Sequence, residues 1–387
     1  MKIVHVLPAL TKGGGEKVAV ELANHAAQTG HQVTLIAGWP VDPTLLRDAL
    51  MPEVTVRYVS KLTVSKIWRY SGLTSWLWQN RVWLADQDIL HCHLSYATIL
   101  GILVVLWRSL TRAKGPVIVQ TNHSVGAPIS RLRLWLHSRT AAQCDALALI
   151  AEDEYWSSFG LKHPKIATEV IFNGISQPSR ELVSFAEKVA YRHKIGIPDN
   201  CKLVVGAVGR LSVDRKPWMY LPIFGEIASE FGQDVHFVLA GGGPEFDRMR
   251  SLVIEQGLES QIHLLGEVLE PRLPLAVMDL YISVNVGAIT GLAGMEAAMS
   301  GLPVLAMQWN PEYCAAATDW IWSSTDLSKV AERSCELLHS PLDRKMLAQQ
   351  QQAHVKLHHT IDAMAWLYYA LYKVAIARFQ TKTININ

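Results

Sequence analysis

Residues 285–304 read Asn-Val-Gly-Ala-Ile-Thr-Gly-Leu-Ala-Gly-Met-Glu-Ala-Ala-Met-Ser-Gly-Leu-Pro-Val, and they hold the most chemically suggestive pattern in the chain. The pattern is a strand end, a glycine turn, a short helix with one carboxylate, and a Gly-Leu-Pro exit into another strand. Thr290 suits an N-cap, and a helix opening at Gly291 and Leu292 presents amides that have no partner inside the helix. Those amides, together with the helix dipole, attract an anion, most often a phosphate. Glu296, further along the same helix, could accept hydrogen bonds from a pair of sugar hydroxyls. Amides for a diphosphate and a carboxylate for a ribose describe a nucleotide-sugar site.

Two cations stand where they could serve the same anion. Arg210 ends a strand in Val-Gly-Arg-Leu, and Lys216 follows within Asp214-Arg215-Lys216-Pro217. Ligands bind at the carboxyl edge of open parallel sheets, and fixed cations there stabilise charge that grows as a sugar–phosphate bond breaks. Arg215 competes with Lys216 for the inward position. Gly13-Gly14-Gly15-Glu16 opens the first helix, so Gly14 and Gly15 could approach a bulky donor closely. Its spacing is not G-x-G-x-x-G and no acidic residue ends the second strand, which disfavours a dinucleotide. Gly241-Gly242-Gly243-Pro244 reads as a structural turn. Gly266 and Val268 sit where backbone groups could meet a nucleobase edge.

His91 and His93 end a strand on one face, and an imidazole pair can ligate a metal. No third ligand stands at a recognisable spacing, so lining of a polar cleft is the preferred reading. His123 ends another strand and points to the same cleft, either as a donor or acceptor contact or as a satisfied structural histidine.

Strand and helix alternate around these residues. The first half reads as strands at 3–7, 32–37, 89–92, 116–120, 146–150 and 169–172, with helices at 16–29, 96–109 and 129–142. The second half restarts with strands at 203–207, 235–240, 262–265, 280–283 and 303–307, separated by helices at 218–231, 244–256 and 273–278. Short apolar runs between amphipathic helices imply parallel sheets covered on both faces. The texture turns polar around 176–200, which places a linker and a linker-side helix there. A final aromatic-rich helix at 361–379 lacks a strand to return to and is expected to pack back across the junction between domains.

A chain of 387 residues is too long for one ordinary core. Domains are therefore expected at 1–178, with 361–387 packing back on it, and at 179–360. A net charge of +2 is too small to indicate nucleic acid as a partner. Five widely spaced cysteines without a C-x-x-C pair read as reduced thiols in a cytosolic protein, with no metal site. The first residues form a buried strand rather than a signal peptide. The most apolar run holds about nine residues where a membrane span needs about twenty, so no bilayer crossing is expected.

In order and spacing these pieces resemble the retaining glycosyltransferases of family 4, with the GT-B architecture: α/β, two Rossmann-like parallel-sheet domains facing each other across a cleft. The resemblance rests on Gly14-Gly15-Glu16, on Gly30-His31-Gln32-Val33-Thr34-Leu35 and on Asn173-Gly174-Ile175. It continues through Arg210 with Lys216, the Gly242–Pro244 turn, Leu265-Gly266, Asp279 and Glu296. It implies sugar transfer from a nucleotide-diphosphate donor to an acceptor hydroxyl with retention at the anomeric carbon. It implies no metal or cofactor beyond the co-substrate. Arg210, Lys216 and His123 take the catalytic roles, while Gly14, Gly15, Gly266, Val268, Thr290, Gly291, Leu292 and Glu296 bind the donor. One departure stands out. The family's first motif glutamate should lie eight residues before Glu296, where this chain has Ala288. Either donor recognition has changed, through Asn285 or Thr290, or the enzyme is weakened; a non-catalytic nucleotide-sugar binder is the competing class.

The segment 65–83 mixes tryptophans with cations, and Arg131, Arg133, Trp135 and Arg139 repeat the theme. Amphipathic helices of this kind can lie on an anionic membrane surface. The alternative is buried tryptophans with solvated arginines. The expected partners are a nucleotide sugar and a glycan or lipid-linked acceptor. The expected location is the cytoplasm, with contact at the cytoplasmic face of the inner membrane.

Overall fold

The computed structural model describes the chain except residues 12, 41–48, 61–65, 124–129, 177–182, 269–270, 286–290, 310–319 and 385–387. Thr290 and Ala288, both singled out by the sequence, lie outside the described residues, as does Cys314. Two compact units form: Met1–Gly174 with Ile361–Asn387, and Ile175–Thr360. The chain passes between them at the Asn173-Gly174-Ile175 turn and again after Thr360.

In the N-terminal unit the strands are β1 (Lys2–Ala9), β2 (Gln32–Trp39), β3 (Thr55–Tyr58), β4 (Ile89–His93), β5 (Val117–Asn122), β6 (Ala146–Leu149) and β7 (Ala167–Val170). They pair in the order β3-β2-β1-β4-β5-β6-β7, every pairing parallel. Its helices are α1 (Gly14–Gln28), α2 (Lys66–Ala85), α3 (Leu94–Thr111), α4 (Arg131–Ala141) and α5 (Glu154–Lys162). β1, β4, β5 and β6 are almost wholly buried, as strands covered on both faces must be.

The second unit opens with α6 (Phe185–Lys194) and holds β8 (Leu203–Val208), β9 (Val235–Ala240), β10 (Ile262–Gly266), β11 (Leu280–Asn285), β12 (Val304–Gln308) and β13 (Trp322–Ser324). Their order is β10-β9-β8-β11-β12-β13, again parallel. Its helices are α7 (Tyr220–Phe231), α8 (Phe246–Glu255), α9 (Arg272–Val277), α10 (Gly291–Met299), α11 (Leu327–His339) and α12 (Pro341–His358). The core joins α7 to the sheet through Phe224 stacked on Phe237 at 4.4 Å. Asp279 locks β8 beside β11: its Oδ2 accepts the Val204 amide at 2.9 Å, and its own amide donates to the Val204 carbonyl at 2.7 Å.

The last helix, α13 (Ile361–Ile384), belongs to the N-terminal unit and packs on α1 and on β5, β6 and β7. Met364, Ala365, Tyr368, Tyr372 and Ala375 form its buried stripe at helical spacing. The strands at 55–58 and 322–324 and the helices at 327–339 and 341–358 were not expected from the sequence. β3 and β13 are short edge strands with half-exposed side chains, which leaves little apolar run to see. β7 starts two residues before the expected strand, also at an edge of its sheet.

Candidate functional site

In the C-terminal unit the strand end after β8 is held in place by backbone. The Gly209 amide donates to the Ala240 carbonyl at 2.9 Å and the Leu211 amide to the Gly242 carbonyl at 2.9 Å. A Cβ on Gly241 would run into the Gly209 carbonyl oxygen, so the triple glycine is the surface on which the 209–211 loop lies. Arg210 is thereby fixed at the carboxyl edge of the sheet with its side chain exposed. The Tyr281 hydroxyl, buried beneath, donates to the Val208 carbonyl at 2.9 Å.

Beyond Arg210 the chain makes a 3-10 turn at Val213–Arg215 and enters Lys216 with φ +47°. A lysine in the left-handed region is strained, and such strain gathers at functional sites. The turn sends the two neighbouring cations to different places. A Cβ built on Gly291 would sit 3.8 Å from Arg215 Nη1, so the Arg215 guanidinium lies beside the start of α10. Lys216 Nζ instead sits 3.6 Å from the centroid of the Trp309 ring, just past β12. Sequence reasoning missed Trp309 because nothing in its spacing ties it to Lys216. Among the described residues its buried indole N–H has no acceptor.

Along α10, Gly291 and Leu292 are half-buried and Glu296 is buried, one turn and a half into the helix. Burial pushes the Tyr281 hydroxyl well above the usual tyrosine range, with Glu296 adding to the rise and Arg215 opposing it. Gly266 and Val268, at and after the end of β10, are half-buried, and Gly266 bridges to Gly241.

In the N-terminal unit, Gly15 lies against the His123 ring: a Cβ there would come 3.3 Å from His123 Cγ and 3.3 Å from Leu94 Cδ2. Gly14 is exposed at the start of α1. The Glu16 carboxylate accepts the Thr11 hydroxyl at 2.8 Å and sits at this same helix start. A negative charge is therefore already supplied there. The loop gives close backbone approach more readily than anion binding.

His91 and His93 share a face, with ring centroids 4.0 Å apart, but neither lines an open cleft: both are fully buried. Pairing of β1 with β4 places His5 opposite His91, and the three imidazoles cluster closely enough to hold an ion. This third histidine is the one that spacing along the chain could not reveal. The rings are engaged with other groups. His5 Nδ1 contacts His93 Nε2 at 3.1 Å, and His93 Nδ1 contacts His123 Nε2 at 3.1 Å. His91 meets the Tyr372 hydroxyl at 2.7 Å through Nδ1 and Thr121 Oγ1 at 2.6 Å through Nε2. Burial holds the pKa of His5 down to about 3 and that of His123 to about 4, and pushes His91 and His93 well below the usual imidazole range. All four are neutral at pH 7. After β4 the chain turns through Leu94 with φ +69°, a strained conformation directly beside the cluster.

The tryptophans divide between the two readings. Trp76 is buried, whereas Trp78 on α2 and Trp135 on α4 are more than half exposed. Arg81 stacks 4.1 Å from the Trp78 ring centroid and Arg139 lies 5.3 Å from that of Trp135. Leu106 and Leu110 on α3 and Leu132 and Leu136 on α4 are exposed as well, and α3 packs against both α2 and α4. No helix among the described residues is long and apolar enough to cross a membrane.

Two family models match the chain: Glycosyltransferase Family 4 over residues 12–177 and Glycosyl transferases group 1 over residues 202–340. A 2-deoxystreptamine glucosyltransferase of Streptomyces kanamyceticus is 24% identical over 305 residues, which is 71% of this chain and 76% of that protein. Among solved structures, Anabaena HepE in complex with UDP and glucose superposes with a TM-score of 0.73 at 18% identity, covering 96% of this chain and 98% of its own. WaaG, a glycosyltransferase involved in lipopolysaccharide biosynthesis, gives a TM-score of 0.63 at 14% identity over 94% of this chain and 98% of its own.

Proposed function

The chain belongs to the family 4 glycosyltransferases, and from that premise we propose that it is a retaining, metal-independent enzyme of surface-polysaccharide, lipopolysaccharide or other glycan assembly. It is a glycosyltransferase, and its co-substrate is a nucleotide-diphosphate sugar. The observation that supports this site is the Arg215 guanidinium beside Gly291 at the start of α10, with Arg210 and Lys216 on the same loop and Glu296 further along the helix. In this reading the amides of Gly291 and Leu292 take the diphosphate, with Thr290 as the expected cap. Glu296 takes the ribose, and the backbone at Gly266 and Val268 meets the base. Arg210 and Lys216 stabilise the charge that develops on the leaving phosphate. That phosphate helps to deprotonate the acceptor on the face it leaves, so no enzymic nucleophile is required. In the N-terminal unit, Gly14, Gly15 and His123 remain the residues proposed for contact with the sugar.

The arrangement refines the choice between the two adjacent cations. Arg215 lies beside the helix start, while Lys216 rests on Trp309 and would reach the phosphate by leaving that ring. UDP is the first nucleotide to test, because HepE, the similar fold, holds it. The exposed face of α2, α3 and α4, with arginines stacked on tryptophans, suits an anionic membrane surface at the cytoplasmic side and a lipid-linked acceptor.

A panel of radiolabelled UDP-, GDP- and ADP-sugars, incubated with the purified protein, tests the reading. Slow donor hydrolysis that disappears in Arg210→Ala is expected. Tight binding without turnover would mean that Ala288 marks a non-catalytic binder instead.

A further inference from the structure

The transferase reading uses His123 but leaves His5 and His93, which stand in line behind it, without a task. Their links run Nδ1 to Nε2 twice, each at 3.1 Å. His5 and His93 are fully buried and His123 is half-buried, so only the last ring has access to a ligand. A neutral imidazole carries one N–H and one lone pair. Two N–H groups or two lone pairs cannot face each other at this distance in a buried site without large cost. The three rings therefore share only two proton arrangements. In one, each ring carries its proton on Nε2, and His123 and His93 donate toward His5. In the other, each carries it on Nδ1, and His5 and His93 donate toward His123.

Neutral histidine side chains prefer the Nε2–H form in water, and here that preference is counted three times in the same direction. We propose that His5 and His93 are positioning residues that lock His123 as a neutral Nε2–H tautomer, leaving its Nδ1 lone pair as a hydrogen-bond acceptor for a substrate hydroxyl. His123 Nε2–H donates to His93 Nδ1, and His93 Nε2–H donates to His5 Nδ1. The ring then recognises a hydroxyl that can donate, and it is neither the general base nor a cation near the diphosphate. Among the described residues, the titratable groups packed on the line include His91 on the same strand and Tyr368 and Tyr372 from α13. All of these are held neutral by burial. A metal held by His5, His91 and His93 is the rival use of the same rings. It would require His91 to give up one of two short hydroxyl contacts.

The proposal rests on the transferase reading only for the identity of the hydroxyl, so the first test uses the full chain without substrate. Long-range ¹H–¹⁵N correlation spectra at pH 7 should show His123, His93 and His5 each as a neutral Nε2–H tautomer. An Nδ1–H or doubly protonated His123 overturns the proposal. So does stoichiometric zinc on the purified protein that is lost in His5→Ala. In His5→Leu, His93 loses its acceptor, and a second tautomer of His123 should appear. His5→Asn supplies an amide oxygen near the Nδ1 position and should restore the single tautomer. In donor hydrolysis, His5→Leu should raise KM on the order of fivefold while kcat changes less, and His5→Asn should recover it. An unchanged His123 spectrum in a folded His5→Leu protein also overturns the coupling. If the tautomer pattern holds but no nucleotide sugar is hydrolysed, the fault lies with the transferase reading instead.

Discussion

At the residue scale, the chemistry turns on which cation meets the phosphate. Lys216 is strained at φ +47° and rests on Trp309, so its ammonium is desolvated on one side before any donor arrives. Lys216→Ala should lower kcat on the order of a hundredfold while donor affinity changes by less than about threefold, because the charge it meets is greatest in the transition state. Single-turnover kinetics beside calorimetry separates the two, and equal losses would remove Lys216 from that role. Glu296 should behave in the opposite way. Glu296→Ala is expected to weaken binding of free UDP by about tenfold, the worth of a charge-assisted hydrogen-bond pair. Unchanged affinity would show that the carboxylate does not reach the ribose.

At the element scale, α13 is fastened to the sheet by hydroxyls as well as by its apolar stripe. The Tyr372 hydroxyl pairs with His91, and the Tyr368 hydroxyl with Thr121 at 2.9 Å. The Tyr369 hydroxyl reaches His25 at 2.9 Å on α1. Tyr372→Phe keeps the packing but strands a fully buried imidazole nitrogen, which costs about 1–3 kcal/mol. The thermal midpoint should fall by several degrees. In a double-mutant cycle with His91→Phe the second change should then cost far less than it does alone; additive losses would show that the contact carries no energy. The glycine turn after β9 makes a separate demand. Gly241→Ala should displace the 209–211 loop, since its Cβ has no room beside the Gly209 carbonyl. Its signature is lost turnover with the thermal midpoint lowered as well.

At the scale of the whole molecule, buried neutral histidines make stability depend on pH. His5 and His123 fold with pKa values of about 3 and about 4, and His263 in the other unit with about 4. His91 and His93 are shifted the same way. Below the unfolded histidine value of about 6.5 the unfolded chain binds more protons than the folded one, so stability rises with pH through this window. The histidines' contribution should be flat above about pH 7.5 and fall steadily from pH 6.5 to pH 4, by roughly 2 kcal/mol at pH 5 for a group as buried as His5. Chemical denaturation across that range checks this, and a stability that did not fall would mean the cluster is already protonated or exposed in the fold.

The alternation of strand and helix, the restart near residue 200 and the motif order from Gly14 to Glu296 were all legible in the chain. Apolar periodicity and glycine turns are imposed by neighbours a few residues apart, and so they survive in a linear reading. β3 and β13 were not legible, since a half-exposed edge strand writes a weak pattern. What the sequence could not supply was the company each side chain keeps. His5 joins His93 across 88 residues only because β1 lies beside β4. Arg215 and Lys216 part because Lys216 itself adopts a left-handed backbone after the turn at Val213–Arg215. The tyrosines of α13 find His91 and Thr121 only when the last helix lies on β5. Local sterics choose the elements, but sheet order and helix docking choose the contacts, and the state of a histidine is decided by its contacts.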